Sequence, residues 1–111
     1  MIKVGTVLKV AEIVANVFEV SMEDLFSTKR NFGIIKARFT LYKILHKQGI
    51  RAVDIGRSLD RNHTTIAHGL SEFDNLYSFN DKFRVKADIA IKQLIKTKYE
   101  EDTDTTEVRK G

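Results

Sequence analysis

Apolar residues recur along this chain at helical intervals, with little of the strict alternation that marks a strand. Val4, Val7, Leu8, Ala11, Val14, Ala15 and Phe18 trace one stripe, predicting a first helix even though β-branched residues are plentiful in it. Ser21, with Asp24 three residues on, resembles a capping box with a shorter acid, opening a one-turn helix through Leu25. A longer helix is predicted from about Phe32 to Lys47. Its core side is Ile34, Ala37, Leu41, Ile44 and Leu45; Lys36, Thr40, Lys43 and Lys47 form the other side, and Gln48-Gly49 ends it after a basic last turn.

Two further stripes follow, Ala52, Ile55 and Leu59, then Ile66, Leu70 and Phe73, separated by a polar turn. Asn75 to Ser78 reads as a connector and Asn80 as the N-cap of a last helix reaching about Lys98, with Phe83, Ala87, Ala90, Ile91, Leu94 and Ile95 facing inward. The expected fold is therefore all-α, a compact helical bundle of about five to six helices containing a helix-turn-helix. Gly56 stands inside the first helix of that pair at a helical cost of roughly 1 kcal/mol relative to Ala. It reads as permitting close helix approach, with Gly69 doing the same on the partner helix.

The second helix of the pair is where chemistry concentrates. Asn62, His63, Thr64 and Thr65 mass at its start, and Thr64, His68 and Ser71 fall opposite the apolar stripe. In a helix-turn-helix, that end enters the major groove, where side chains meet base edges and free N–H groups favour phosphate. His63 and Thr64 are the leading candidates for base contact, since a Thr methyl suits a thymine methyl and imidazole offers a donor or an apolar edge. Thr65 and His68 join them as candidate readers. Asn62 is placed to cap the helix, and its amide could also pair bidentately with adenine.

Charge agrees with a polyanionic partner. Residues 1–99 carry 17 Lys and Arg against 10 Asp and Glu, whereas 100–111 carry 2 against 5. The chain thus divides into a basic domain, 1–99, and an acidic tail, 100–111, too poor in apolar residues to be expected to order. Basic surface close to the reading helix would supply sequence-independent affinity through counterion release. Arg38, Lys43, Arg57 and Arg61 are the candidate phosphate contacts, Arg57 and Arg61 flanking the turn.

The remaining composition narrows the function by exclusion. With 111 residues, no Cys and no Pro, the chain suits one small domain without disulfides or thiolate metal sites. His63 and His68 are five apart and lack the Glu of a metalloprotease helix, so no metal is expected. No catalytic residues stand out, and the expectation is a protein that is not an enzyme. A phosphate-cradling G-x-x-x-x-G-K-[ST] loop is missing, hence no nucleotide cofactor and no ATPase are expected. Neither a signal peptide nor an apolar run of membrane length is evident, which points to the cytoplasm, in association with DNA.

These residues resemble a known family, the C-terminal DNA-box-binding domain of the bacterial replication initiator DnaA. The likeness rests on Ile55-Gly56, Leu59 and Arg61-Asn62-His63-Thr64-Thr65-Ile66 with His68, against that family's Ile-Gly, a short loop and Arg-Asp-His-Thr-Thr-Val with a second His. Ser27-Thr28-Lys29-Arg30 resembles its basic loop, which implies that Lys29 or Arg30 enters a narrow A·T-rich minor groove. Ala37-Arg38 lies where the family has Arg-Gln, implying a basic contact displaced by one residue. Asn62 replaces the family's Asp, so the preferred site would differ.

The resemblance implies a sequence-specific protein for double-stranded DNA, acting at a short DnaA-box-like site in replication or its regulation, in competition with an initiator. A transcriptional repressor on the same fold, and a module whose basic face meets an acidic protein, are the alternatives. The initial Met and the distinct tail favour a small stand-alone protein over a fragment.

Overall fold

Helical periodicity in the sequence becomes six helices in the computed structural model, which describes residues 4–97. They run α1 (Val4–Phe18), α2 (Met22–Phe26), α3 (Phe32–Lys47), α4 (Ala52–Leu59), α5 (His63–Phe79) and α6 (Asp81–Lys110, described here over 81–97), with no strand among the described residues. The expected division at residue 99 and the acidic segment 100–111 lie outside the described residues.

Local chemistry sets most of the boundaries. Ser21 Oγ accepts the Asp24 amide at 3.0 Å, Asn31 Oδ1 the Gly33 amide at 2.9 Å, Asn62 Oδ1 the Thr64 amide at 2.8 Å, and Asn80 Oδ1 the Phe83 amide at 2.9 Å. Each satisfies one of the amides that a helix leaves unpaired at its start. The Asp24 carboxylate does not close a reciprocal box but pairs with Lys29. The connector expected over Asn75 to Ser78 is not a break: α5 continues to Phe79, because Leu76 and Tyr77 still pack on the core and keep the 3.6-residue period.

The core gathers where α1, α3, α5 and α6 converge. Val10, Ala11, Val14 and Phe18 from α1 meet Ala37, Leu41, Ile44 and Leu45 from α3, and Phe73 and Phe83 from α5 and α6. Phe83 anchors an aromatic group, its ring centroid 5.9 Å from Phe18 and 5.3 Å from Phe73. Ile55 and Ile66 close the seam between α4 and α5, both fully buried.

Several expected core positions are exposed instead. Val4 and Leu8 on α1 and Ile95 on α6 are exposed. Conversely, Thr40, placed on the outer side of α3, is fully buried, its hydroxyl donating to the Lys36 carbonyl at 3.0 Å. A hydroxyl satisfied within its own helix can be buried without an orphaned donor.

The two small residues of the helix pair serve different contacts from those expected. A Cβ on Gly56 would lie 2.5 Å from the Arg61 carbonyl, so it is the turn, rather than the facing helix, that closes on it. A Cβ on Gly69 would lie 2.6 Å from the Tyr42 ring, so Gly69 admits α3 and not α4.

Candidate nucleic-acid interface

The turn that presents α5 is built by α4 reversing sharply at its end. Asp60 adopts the left-handed conformation (φ 55, ψ 50), and the Arg61 amide donates back to the Gly56 carbonyl at 2.7 Å. That arrangement is a Schellman-type end, with Asp in the position more often held by Gly; its short polar side chain tolerates left-handed backbone. Asn62 then starts α5 immediately, so the turn is only Asp60-Arg61-Asn62.

From there the reading face is laid out by helical geometry. Ile66 and Phe73 are buried and Leu70 is half-buried, which fixes the rotation of α5 and leaves His63, Thr64, Thr65 and His68 exposed together with Asn62 at the cap. Ser71 is exposed on the same face, as its spacing predicts, and so is Ala67, which the sequence reading does not single out. The signal for Ala67 is there, since 64, 67, 68 and 71 repeat at three and four, but a lone Ala carries no chemistry that draws notice. An Ala methyl is able to contact thymine.

Asn62 is more restricted than its composition suggests. One lone pair of Oδ1 is taken by the Thr64 amide, which leaves its NH2 group and a single lone pair of Oδ1 for any other partner. His68, 68 % exposed at its side chain, sits edge-on to Phe39 with centroids 6.4 Å apart and 4.0 Å from Glu72.

The basic residues divide into two groups. Arg30 and Arg57 are exposed, and neither is drawn into a hydrogen bond or ion pair among the described residues; Lys29 is exposed but holds Asp24 at 2.8 Å. The other three expected phosphate contacts, Arg38, Arg61 and Lys43, are each engaged within the chain. Arg38 is only 9 % exposed, and its guanidinium donates to the main-chain carbonyls of Asp24, Leu25, Ser27 and Lys29. Burial first, and then the like charges of Arg61 and Arg30, lower its pKa against opposing pulls from Tyr42 and Asp24.

Arg61 turns inward as well, to the carbonyls of Phe26 and Ser27 at 3.2 and 2.8 Å. Lys43 is paired with Asp74 at 2.7 Å. Asp74 lies eleven residues along α5 from His63, about 16 Å away from the reading end at 1.5 Å per residue.

An open cleft of about 260 Å³ separates the basic loop from the reading helix, with Thr28 and Arg30 on one side, Thr65 and His68 on the other, and Phe39 and Tyr42 in its wall. Burial pushes the Tyr42 phenol up, against the pull of Arg61 and Arg38. Among the described residues no three His, Asp or Glu side chains gather closely enough to hold a metal ion, and no helix is long and apolar enough to cross a membrane.

A short helix, a three-residue turn and a second helix with an exposed polar amino end together define a helix-turn-helix domain of the DNA-binding class. Residues 7–72 match the family described as bacterial dnaA protein helix-turn-helix, and the chain belongs to that family. It is similar to the chromosomal replication initiator protein DnaA of Thermosipho africanus (strain TCF52B), 29 % identical over 69 residues. That stretch is 61 % of this chain and 16 % of the relative, so the chain spans only a small part of the initiator's length.

Proposed function

We propose that this protein binds double-stranded DNA at a short DnaA-box-like site, with the amino end of α5 in the major groove and the loop of residues 27–31 at the adjacent minor groove. The observation that carries the reading is that Asn62, His63, Thr64, Thr65 and His68 project together from a helix whose back is locked by Ile66 and Phe73. A rigid element presenting short polar and methyl-bearing side chains is what direct readout requires.

His63 and Thr64 are the base readers, Thr65 and His68 flank them, and Asn62, which caps α5 through Oδ1, offers its NH2 group as a donor. Arg30 is the minor-groove residue in preference to Lys29, because Lys29 is held by Asp24 whereas Arg30 is exposed with its donors available. Arg57, exposed at the end of α4, is the phosphate contact beside the turn. The role is in replication or its regulation, at sites an initiator also recognises, with no ATPase of its own and in the compartment that holds the DNA.

Selection of bound duplexes from a randomised library tests this, followed by affinity measurements across salt. One short enriched sequence is expected, with binding that weakens steeply as salt rises. Thr64→Ala or His63→Ala should cost about 1–3 kcal/mol of discrimination. Failure of the wild-type protein to enrich any sequence, or equal losses on selected and random duplexes in those variants, would reject the assignment.

A further inference from the structure

Two arginines from different parts of the chain meet on a single carbonyl. Arg38 Nη2, from the middle of α3, donates to the Ser27 oxygen at 2.6 Å, and Arg61 Nη2, from the helix-turn-helix turn, donates to the same oxygen at 2.8 Å. Around them the segment 24–29 turns its main-chain oxygens inward. Arg38 also takes those of Asp24 and Leu25, both at 3.0 Å, and that of Lys29; Arg61 takes that of Phe26 at 3.2 Å.

Ser27 completes the arrangement, its hydroxyl donating to the Asp24 carbonyl at 2.8 Å and accepting the Lys29 amide at 3.1 Å. Five carbonyls of a six-residue segment are thereby bound to two guanidiniums. Charge-assisted bonds of this kind are roughly twice as strong as neutral ones. Both guanidiniums line the cleft between this loop and α5, while Lys29 and Arg30 on the loop itself are exposed.

We propose that Arg38 and Arg61 are positioning residues that bolt the basic loop to the turn of the helix-turn-helix, so that Arg30 and the α5 readers engage neighbouring grooves in fixed register. This rests on the DNA-binding reading above. The physical argument is one of pre-organisation: a loop ordered before binding has less conformational freedom to lose, and a contact held to its correct place discriminates better than a mobile one. Arg61 matters most for register, because it belongs to the turn that sets where α5 begins. Arg38 fixes the same loop from α3, and both guanidiniums spend their donors on main-chain oxygens rather than phosphate.

The test uses full-chain protein and duplexes selected from a random library by wild type, Arg38→Met and Arg61→Met. Arg30→Ala and Thr64→Ala first mark which base pairs each reader governs. In the positioning variants, preference at the Arg30-dependent positions should fall about tenfold while preference at the Thr64-dependent positions stays. Arg38→Lys, which keeps the charge but not the fork, should behave like Arg38→Met.

Preference lost in proportion at both sets, or at neither, would overturn the proposal. Should the buried Arg38→Met fail to fold, Arg61→Met carries the same test from a half-buried position. Unfolding of both would also overturn it, by making the arginines determinants of the fold rather than of the loop's place. A wild-type protein that enriches no duplex would instead sink the DNA-binding reading itself, which keeps the two failures apart.

Discussion

Replacing Gly56 by Ala sets two effects of opposite sign against each other, and the structure decides between them. In an unconstrained helix the change would stabilise by about 1 kcal/mol, since Gly is the poorer helix former. Here the new methyl would stand 2.5 Å from the Arg61 carbonyl oxygen and 3.5 Å from the His63 nitrogen. Carbon and carbonyl oxygen ordinarily come no closer than about 3.3 Å, so the turn must retreat by roughly 0.8 Å.

Main chain cannot swing aside as a side-chain tip can, and overpacking of this sort costs about 1–3 kcal/mol. Retreat also stretches the 2.7 Å bond from the Arg61 amide to the Gly56 carbonyl, worth about 1 kcal/mol. The expected outcome is a net loss of about 1–3 kcal/mol, seen in thermal unfolding as a midpoint lowered by at least about 4 °C. Affinity for the selected duplex should fall further than stability does, because the displaced turn carries Asn62 and the start of α5. A midpoint unchanged or raised would mean that propensity prevails and that the turn does not press on Gly56.

Other expectations follow from single contacts. Asn62→Ala removes the cap on the Thr64 amide and should lower stability by about 1 kcal/mol in urea unfolding, whereas Asn62→Asp should preserve it. Lys43→Ala should leave duplex affinity and its salt slope unchanged and cost at most about 1 kcal/mol of stability, because its charge is committed to Asp74; a salt slope reduced by about one would restore Lys43 as a phosphate contact.

Two phenols should make the fold sensitive to alkali. The hydrogen bond to Asp88 raises the pKa of Tyr77, and burial raises that of Tyr42. A folded pKa above the unfolded value of about 10 contributes stability that is intact at lower pH and is lost as pH climbs through the folded pKa. Unfolding midpoints measured upward from neutral pH should therefore fall above about pH 10, and Tyr42→Phe with Tyr77→Phe should flatten that fall.

What was legible in the sequence was local. Periods of three and four placed the helices, Ser21, Asn62 and Asn80 marked their starts, and the segment from Arg61 to Ile66 pointed to the reading end and to the family. Each of these signals acts within a turn or so of helix, where spacing alone fixes which residues share a face. Even the overlooked Ala67 lay at a readable interval. The reading of Asn75 to Ser78 as a connector fails for the converse reason: Asn75 and Ser78 suit one by composition, but packing of Leu76 and Tyr77 carries α5 through to Phe79.

Tertiary structure alone decided which cations are spent and which are available. Arg38, Lys43 and Arg61 are long donors whose partners lie 31 residues away for Lys43, and up to 14 and 35 residues away for the two arginines. No spacing rule connects such positions, so a basic residue near the reading helix looks the same in sequence whether it faces phosphate or grips a carbonyl. The same limit hid the role of Gly56, which depends on where the returning turn comes to rest. Helical faces follow from neighbours along the chain, whereas the destination of a guanidinium follows from which loops the folded core brings within its reach.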